Sequence, residues 1–454
     1  MRLQLKHFGR IREADLDIRP LTVFVGDNGT NKSWAAYALH GLLRTMSRQA
    51  GSVHIGVEAE NPELDSVIAD LTGDEGVTGQ GMTLRSIRIG HDAVLERGLT
   101  QAGLAQMLAL ESAMLDIGAT AQLDYNLDDL PDHVVDLRLE SNPKLKLLAA
   151  TATMATGNTF AWRAVDWDSP AQLAGLIKQF ATTALDRVLL LPAERKAFTG
   201  LAGFDRALDA LRSGRQGAIP LAWVDFADML REAMGASAQV SSLADVAKQF
   251  AVLTGGSLQA DRNTLNFQVK DGPSLPMHGA ASLVRAVAGL DLYLSRLARK
   301  GDVVIIDELE MNAHPSAQLA LVELVAMIVQ AGVRVVFTTH SPYIVDHLNN
   351  LMAAASVPAA AQPGLAEQFA LKSTQAFIAP EMVAAYRFQG QSDGSVAVLD
   401  VLNRDRARIS WTTFTEVSDR LSALWDSVDE AKSKPAPEAK AGAKPGKSKP
   451  ARAA

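Results

Sequence analysis

Three short stretches of the chain carry side chains whose types and spacing could do chemistry: residues 25–34, VGDNGTNKSW; residues 303–310, VVIIDELE; and residues 335–342, VVFTTHSP. In the first, Gly26 and Gly29 precede Lys32 and Ser33. This is close to G-x-x-x-x-G-K-[ST], a loop whose backbone N–H groups and following helix N-terminus cradle phosphate oxygens while Lys reaches the β/γ-phosphates and Ser/Thr ligates Mg2+. The pattern asks for glycine immediately before the lysine, and Asn31 stands there. Such a loop turns tightly with little room for a side chain, and asparagine is among the few residues that tolerate positive φ. Asn31 is therefore expected to take over a glycine's backbone role at about 1 kcal/mol of local strain. In the second stretch an apolar run delivers Asp307 and Glu308. One carboxylate suits a phosphate-linked Mg2+, and the other suits orienting or deprotonating an attacking water. The third ends in Thr338, Thr339 and His340, a histidine able to sense or stabilise a γ-phosphate.

This chemistry needs the three stretches at one edge of a sheet. The run LTVFVG before the loop reads as a buried central strand, and Ser33–Arg48, SWAAYALHGLLRTMSR, is alanine- and leucine-rich and reads as a helix. Val303–Ile306 reads as a strand, Pro315–Gln330 as a helix and Val333–Thr338 as a second strand. Such a unit makes a right-handed parallel crossover with both strand carboxyl ends on one edge, where α/β proteins bind nucleotides. A further apolar strand, Val188–Leu191, ends at Pro192-Ala193-Glu194-Arg195, where the last two read either as an ion pair beside the nucleotide or as a surface corner. RLQLKHF and EADLDI alternate as strands, residues 205–255 are mainly helical, a hairpin turns at Asp271-Gly272, and a helix runs from about Ala281 to Lys300. Residues 50–185 mix strand-like LRSIRIG with helical AGLAQMLALESAML, and VLDVLNRDRARISWTTFTEVSDRLSALWDSV reads as a strand and helix finishing the domain. Trp162, Trp167, Trp223, Trp411 and Trp425 read as packing residues.

Composition narrows the functional classes. The chain has 454 residues and no cysteine, which excludes disulfides, thiolate metal sites and cysteine nucleophiles and fits a reducing cytosol. Its longest apolar run, Leu319–Val329, is broken by Glu323 and falls short of the ~20 residues that span a bilayer. The N-terminus shows no leader-like apolar run, so a cytoplasmic protein without membrane contact is expected. Net charge is −7, but residues 431–454 hold seven Lys/Arg and one Glu, which leaves −13 on the other 430 residues. The Ala/Pro/Gly/Lys tail reads as disordered and able to attract nucleic acid or an acidic protein, whereas the acidic body argues against a surface coated for DNA.

Together the loop, VVIIDELEMNAHPSAQ and VVFTTHSPYIVDHLNNL resemble the ATPases of the ABC class in their RecF/SMC-like and OLD-like branch, often grouped as AAA-type ATP-binding proteins. The resemblance covers about residues 1–48 and 275–350 and, more loosely, LLLPAERKAF. It implies an α/β fold: an ABC-type P-loop NTPase head with a mostly parallel core sheet, an N-terminal antiparallel β-lobe and a helical insertion. The implied divisions are 1–48 with the P-loop, 49–185 as a β and helical lobe, 186–350 completing the head, 351–430 as an α/β completion or docking segment, and the tail at 431–454. By the same resemblance Gly26, Asp27, Asn28, Gly29, Thr30, Asn31, Lys32, Ser33 and Trp34 hold ATP, and Ser33 and Asp307 hold Mg2+. Glu308 activates water and His340 is the switch histidine. Ser282 would meet a partner's ATP in trans from the signature motif, and Asn312 and His314 lie in a D-loop at a dimer contact. GAASLVRA lacks the glycine and glutamate expected after Ser282, and Leu309 replaces a usual proline, which with Asn31 implies slow turnover. Asn31→Gly is then expected to leave binding intact and raise turnover.

The implied assembly is a homodimer or larger homo-oligomer with ATP sandwiched between heads. The implied role is a nucleotide-gated sensor or scaffold controlling a separate nuclease or toxin in antiphage defence, as in PARIS-like, Septu-like and retron-associated systems. The alternative is a RecF-like DNA repair or recombination ATPase that binds DNA. A small-molecule phosphotransferase is disfavoured by the order of the motifs and by the lack of a recognisable acceptor site.

Overall fold

The computed structural model describes residues 1–44, 83–89, 94–110, 112–126, 135–142, 147–154, 159–165, 187–200, 219–236, 241, 243–261, 264–410 and 413–433. The chain divides into two units, Met1–Ser410 and Trp411–Ala454. The tail from residue 434 onward, residues 45–48 of the expected first helix, Trp167 and Trp411 lie outside the described residues.

Strands β1 (Arg2–Phe8) and β2 (Ile11–Asp17) form an antiparallel hairpin with Arg2 opposite Asp17 and Phe8 opposite Ile11. β3 (Leu21–Gly26) is buried at every position, as a continuous apolar run requires of a strand covered on both faces. Helix α1 (Lys32–Arg44) follows the loop and buries Ala35, Ala36, Ala38, Leu39, Leu42 and Leu43 against the sheet core. Its start at Lys32 rather than Ser33 puts the lysine in the first helical turn.

The insertion contributes β4 (Thr83–Ile89), β5 (Val94–Leu99), α2 (Gln101–Leu108), β6 (Thr120–Asn126), β7 (Val135–Asn142), β8 (Leu147–Met154) and β9 (Thr159–Val165). β5 and β6 extend the hairpin of β1 and β2, whereas β4, β7, β8 and β9 form a separate four-stranded antiparallel sheet. Next come β10 (Val188–Leu191), the short helix α3 (Arg195–Gly200) and α4 (Leu221–Gly235). The meander of β11 (Gly256–Ala260), β12 (Leu265–Val269) and β13 (Ser274–Pro276) turns, as expected, at Asp271-Gly272, with Asp271 at φ 56°. Helix α5 (Ser282–Arg296) leads into β14 (Val303–Ile306), α6 (Pro315–Gln330), β15 (Arg334–Thr339) and α7 (Pro342–Ala355), and β16 (Val383–Gly390) and β17 (Val396–Asp400) complete the sheet.

The resulting ten-stranded sheet runs β10-β14-β15-β3-β16-β17-β2-β1-β6-β5. Its first five strands are mutually parallel and β5, β6, β1 and β2 are antiparallel, so the expected β-lobe continues the core sheet. Because β14, β15 and β3 are adjacent and parallel, their carboxyl ends share one edge.

The second unit contains helix α8 (Thr413–Ser433). Within this helix Trp425 is 65% exposed, with Lys432 Nζ 5.4 Å from its ring. Leu421, Leu424 and Val428 are exposed as well. Trp223 does pack: its ring meets Phe198 edge-on and its Nε1 donates to Tyr37 Oη at 3.1 Å.

Candidate active site

The loop leaves β3 through Gly26, whose φ is 142°. A Cβ there would lie 2.3 Å from the Phe388 carbonyl oxygen on neighbouring β16, so only glycine fits. Gly29 has φ 74° and Asn31 φ 63°, so asparagine holds the left-handed conformation a glycine would supply. The Asn31 side chain adds what glycine lacks, since its Oδ1 accepts the Arg10 N–H at 3.0 Å and ties the loop to the β1–β2 turn. Arg10 returns the contact by donating to the Gly29 carbonyl at 2.9 Å and to Gly394 O, in the β16–β17 turn, at 2.7 Å. Thr30 is buried, and its hydroxyl closes the loop on Asp27 O at 2.7 Å. Trp34 lies against Phe8, with ring centroids 5.7 Å apart, while Asp27, Asn28 and Gly29 are exposed.

Lys32 is curled into its own loop, with Nζ donating to Gly26 O at 2.8 Å and Asp27 O at 2.7 Å. Burial pulls its pKa down, and the nearby carboxylates of Asp27, Asp307, Glu310 and Glu308 oppose that. A phosphate oxygen would offer this ammonium stronger, charge-assisted bonds than the neutral carbonyls do.

Across the intervening β15, Ser33 Oγ donates to Asp307 Oδ1 at 2.8 Å. Thr338, from β15 itself, donates to the same oxygen at 2.7 Å and accepts the Glu308 N–H at 2.8 Å. Burial raises the pKa of Asp307 against these hydrogen bonds and against Arg195 and Lys32. Glu308 sits at φ 52°, strained for a non-glycine residue, and burial followed by the Asp307 charge raises its pKa. His340 is partly exposed; Glu310 accepts its backbone N–H at 2.7 Å and lies 3.3 Å from its Nδ1. Thr339 Oγ1 donates to the other Glu310 oxygen at 2.8 Å.

The donor set suits ATP with Mg2+. Octahedral Mg2+ with bonds of 2.0–2.1 Å places adjacent oxygens about 3 Å apart, close to the 2.8 Å between Ser33 Oγ and Asp307 Oδ1. Among the described residues no cluster of three or more His, Cys, Asp or Glu could hold an ion unaided.

Three expected residues lie apart from this cluster. Ser282 opens α5 exposed, 3.4 Å from the Arg285 guanidinium; Asn312, at φ 60°, accepts from Lys196 Nζ at 3.1 Å; and His314 caps α6 by accepting the Ser316 N–H at 3.3 Å. Among the described residues none of the three hydrogen-bonds the loop, Asp307, Glu308 or His340. Glu310, Thr338 and Arg10 escaped the sequence reading. A third acid in DELE was the available signal for Glu310; nothing local marks the other two. Arg195 is neither of the two alternatives offered for it: it is buried and donates to four carbonyls, Ala286, Pro192, Asp307 and Glu308.

A parallel α/β sheet with a phosphate loop at the end of one strand and a carboxylate pair at the end of the next strand but one defines the class of P-loop nucleotide-binding proteins. Residues 232–346 match the family described as "AAA domain, putative AbiEii toxin, Type IV TA system". That span, about a quarter of the chain, holds Asp307, Glu308 and His340 and leaves out the loop. No curated protein matches. Among solved structures, one titled "Crystal structure of the SmcHead bound to the C-winged helix domain of ScpA" is similar at 12% identity and TM-score 0.39, covering 89% of this chain and 98% of the other. The SMC head domain from Thermotoga maritima is similar at 10% identity and TM-score 0.31, covering 88% and 98%. An Smc head domain bound to the C-terminal domain of ScpA, from Pyrococcus furiosus, gives 10% and 0.33, covering 93% and 98%. Likenesses this loose do not speak for function. No helix among the described residues is long and apolar enough to cross a membrane.

Proposed function

We propose that this chain is an ABC-class ATPase that binds ATP with Mg2+ between the phosphate loop and the Asp307-Glu308 turn and hydrolyses it slowly. The observation that carries the reading is the Ser33–Asp307 hydrogen bond at 2.8 Å, which joins two residues 274 positions apart at one sheet edge. Loop amides and Lys32 would hold the β- and γ-phosphates, and Ser33 and Asp307 would hold the cation. When bound, Mg2+ neutralises charge developing on the phosphoryl group. Glu308 would orient or deprotonate the attacking water, its raised pKa favouring the base role. His340, steadied by Glu310, would face the γ-phosphate. With Ser282 exposed at the start of α5, two copies sandwiching nucleotide give the signature residue its target, and homodimers or larger rings follow. The role we assign is that of a nucleotide-gated switch over a separate effector in antiphage defence; the family description names a putative toxin and a toxin–antitoxin system.

ATP hydrolysis by the purified protein, by Lys32→Ala and by Glu308→Gln tests the site; equal activity in all three would sink the assignment. Glu308→Gln with ATP and Mg2+ should sediment as a dimer or larger species at micromolar concentration, and a monomer would refute the sandwich. Salt-sensitive DNA binding that tightens with ATP would point instead to a repair ATPase of the RecF kind.

A further inference from the structure

The segment after β10 is braced against three places at once. Arg195 is 3% exposed, and among the described residues its guanidinium forms no ion pair. Its Nε donates to Ala286 O on α5 at 2.9 Å, its Nη1 to Asp307 O at 2.7 Å and Pro192 O at 3.2 Å, and its Nη2 to Glu308 O at 2.9 Å. The rest of α3 repeats the pattern: Thr199 Oγ1 donates to Arg285 O at 2.7 Å, and Lys196 Nζ to Asn312 Oδ1 at 3.1 Å. Burying a guanidinium costs free energy that a surface corner would not require, and here the carbonyls and the nearby charges of Asp307, Glu310 and Glu308 offset it.

The cost has a visible return at Glu308. That residue holds a positive φ, a conformation that costs about 1–3 kcal/mol and persists only where the surroundings over-determine it. Both of its backbone polar groups are pinned, the N–H by Thr338 and the carbonyl by Arg195. The same guanidinium grips α5 one turn beyond Ser282.

We propose that Arg195 is a positioning residue for Glu308, and that α3 ties that position to the N-terminal turn of α5, so that movement of α5 is felt at the Glu308 carboxylate. The inference rests on the ATPase reading for its functional consequence, though not for the brace itself. A partner's nucleotide meeting the start of α5 would then adjust Glu308 through one rigid side chain. Arginine is needed because its planar fork reaches several carbonyls in fixed directions, whereas lysine offers a single nitrogen.

The full-length protein tests this in two independent ways. In Arg195→Lys, kcat for ATP should fall at least about tenfold, because a small misplacement of a catalytic group costs that much or more, while affinity for a fluorescent ATP analogue stays within about threefold. Thr199→Val, which deletes one hydroxyl and spares the fold, should lower kcat by about two- to fivefold, and the double variant should be no slower than Arg195→Lys alone, as expected of groups sharing one link. Without nucleotide, amide hydrogen exchange at Glu308–Met311 should rise several-fold in both single variants. Unchanged exchange there, or a kcat and an analogue affinity that fall together in proportion to a lowered melting midpoint, would overturn the proposal. If the wild type binds the analogue no better than Lys32→Ala, the ATPase reading fails, while the exchange measurement still decides the brace.

Discussion

Asp27, Asn28 and Gly29 lie open to solvent at one side of the site, whereas Asp307 and Glu310, on the other side, are buried together with Arg195, Thr338 and Thr339. The phosphate loop is tied down from outside by Arg10 and Asn31, in neutral or exposed hydrogen bonds worth about 1 kcal/mol each. The carboxylate turn is held from inside by a charged arginine and by hydroxyls delivered from β15. On the proposed reading the loop half would rearrange when an anion arrives, Lys32 trading carbonyls for phosphate. The carboxylate half is preorganised and carries the cost in advance, since burial raises the pKa of both Asp307 and Glu308.

The largest expected effect separates the halves outright. Lys32→Ala should weaken ATP binding by about 100-fold, in line with the loss of charge-assisted bonds of about 3 kcal/mol, and titration calorimetry would read it. Glu308→Gln should cut hydrolysis by at least about 100-fold, by removal of a general base, and leave ATP affinity near wild type. Because the Glu308 pKa is raised in the folded chain, its ionised form costs stability once pH exceeds the unfolded value. Glu308→Gln should accordingly raise the ligand-free melting midpoint at neutral pH. Affinity lost in step with hydrolysis would erase the distinction between the halves.

Next comes Glu310. In Glu310→Gln the amide turns a donor toward the His340 N–H or the Thr339 hydroxyl, and about 1–3 kcal/mol of stability should be lost for a buried group left unmatched. A denaturant midpoint unchanged in this variant would show that the buried side is less tightly held than its hydrogen bonds indicate.

Acid should find a weakness under the loop. His40, on α1, is wholly buried 3.4 Å from Asp225, and burial pushes its pKa down to about 4. A folded pKa below the unfolded value of about 6.5 means that the unfolded chain binds the proton more readily. The stability tied to neutral His40 is complete above pH ~6.5 and is lost as pH falls toward 4, on the order of 3 kcal/mol at most. Melting curves across that range should flatten in His40→Gln, and a slope equal to wild type would remove His40 from the account.

The smallest effect is expected at Asn31. Glycine there keeps the backbone conformation but abandons the Arg10 N–H, so Asn31→Gly should cost about 1 kcal/mol of stability and change ATP affinity by no more than about threefold. Asn31→Ala, which resists φ near 63°, should do worse than glycine. Equal losses in the two variants would mean that the hydrogen bond, rather than the backbone, governs the loop.

Much of this site was legible in the chain as written. Val188–Leu191, Val303–Ile306 and the helix Pro315–Gln330 fall where apolar runs and a proline start place them. Asn31 takes the positive φ that its chemistry allows. Arg10 and Thr338 were not legible as site residues, and Arg195 only as one of two alternatives, because each acts on a backbone group or side chain brought near by the sheet, 19 to 112 positions away along the chain.

Local composition and periodicity thus settled the strands β3, β10, β14 and β15, roughly where they end and which residues stand at those ends, since these follow from side-chain size, branching and backbone freedom over a few positions. The order β14-β15-β3, the hydroxyls of Thr338 and Thr339 placed between loop and carboxylates, and the burial of Arg195 against three segments came only with folding. Contacts between distant residues depend on which surfaces pack together, and no short window of sequence holds that information.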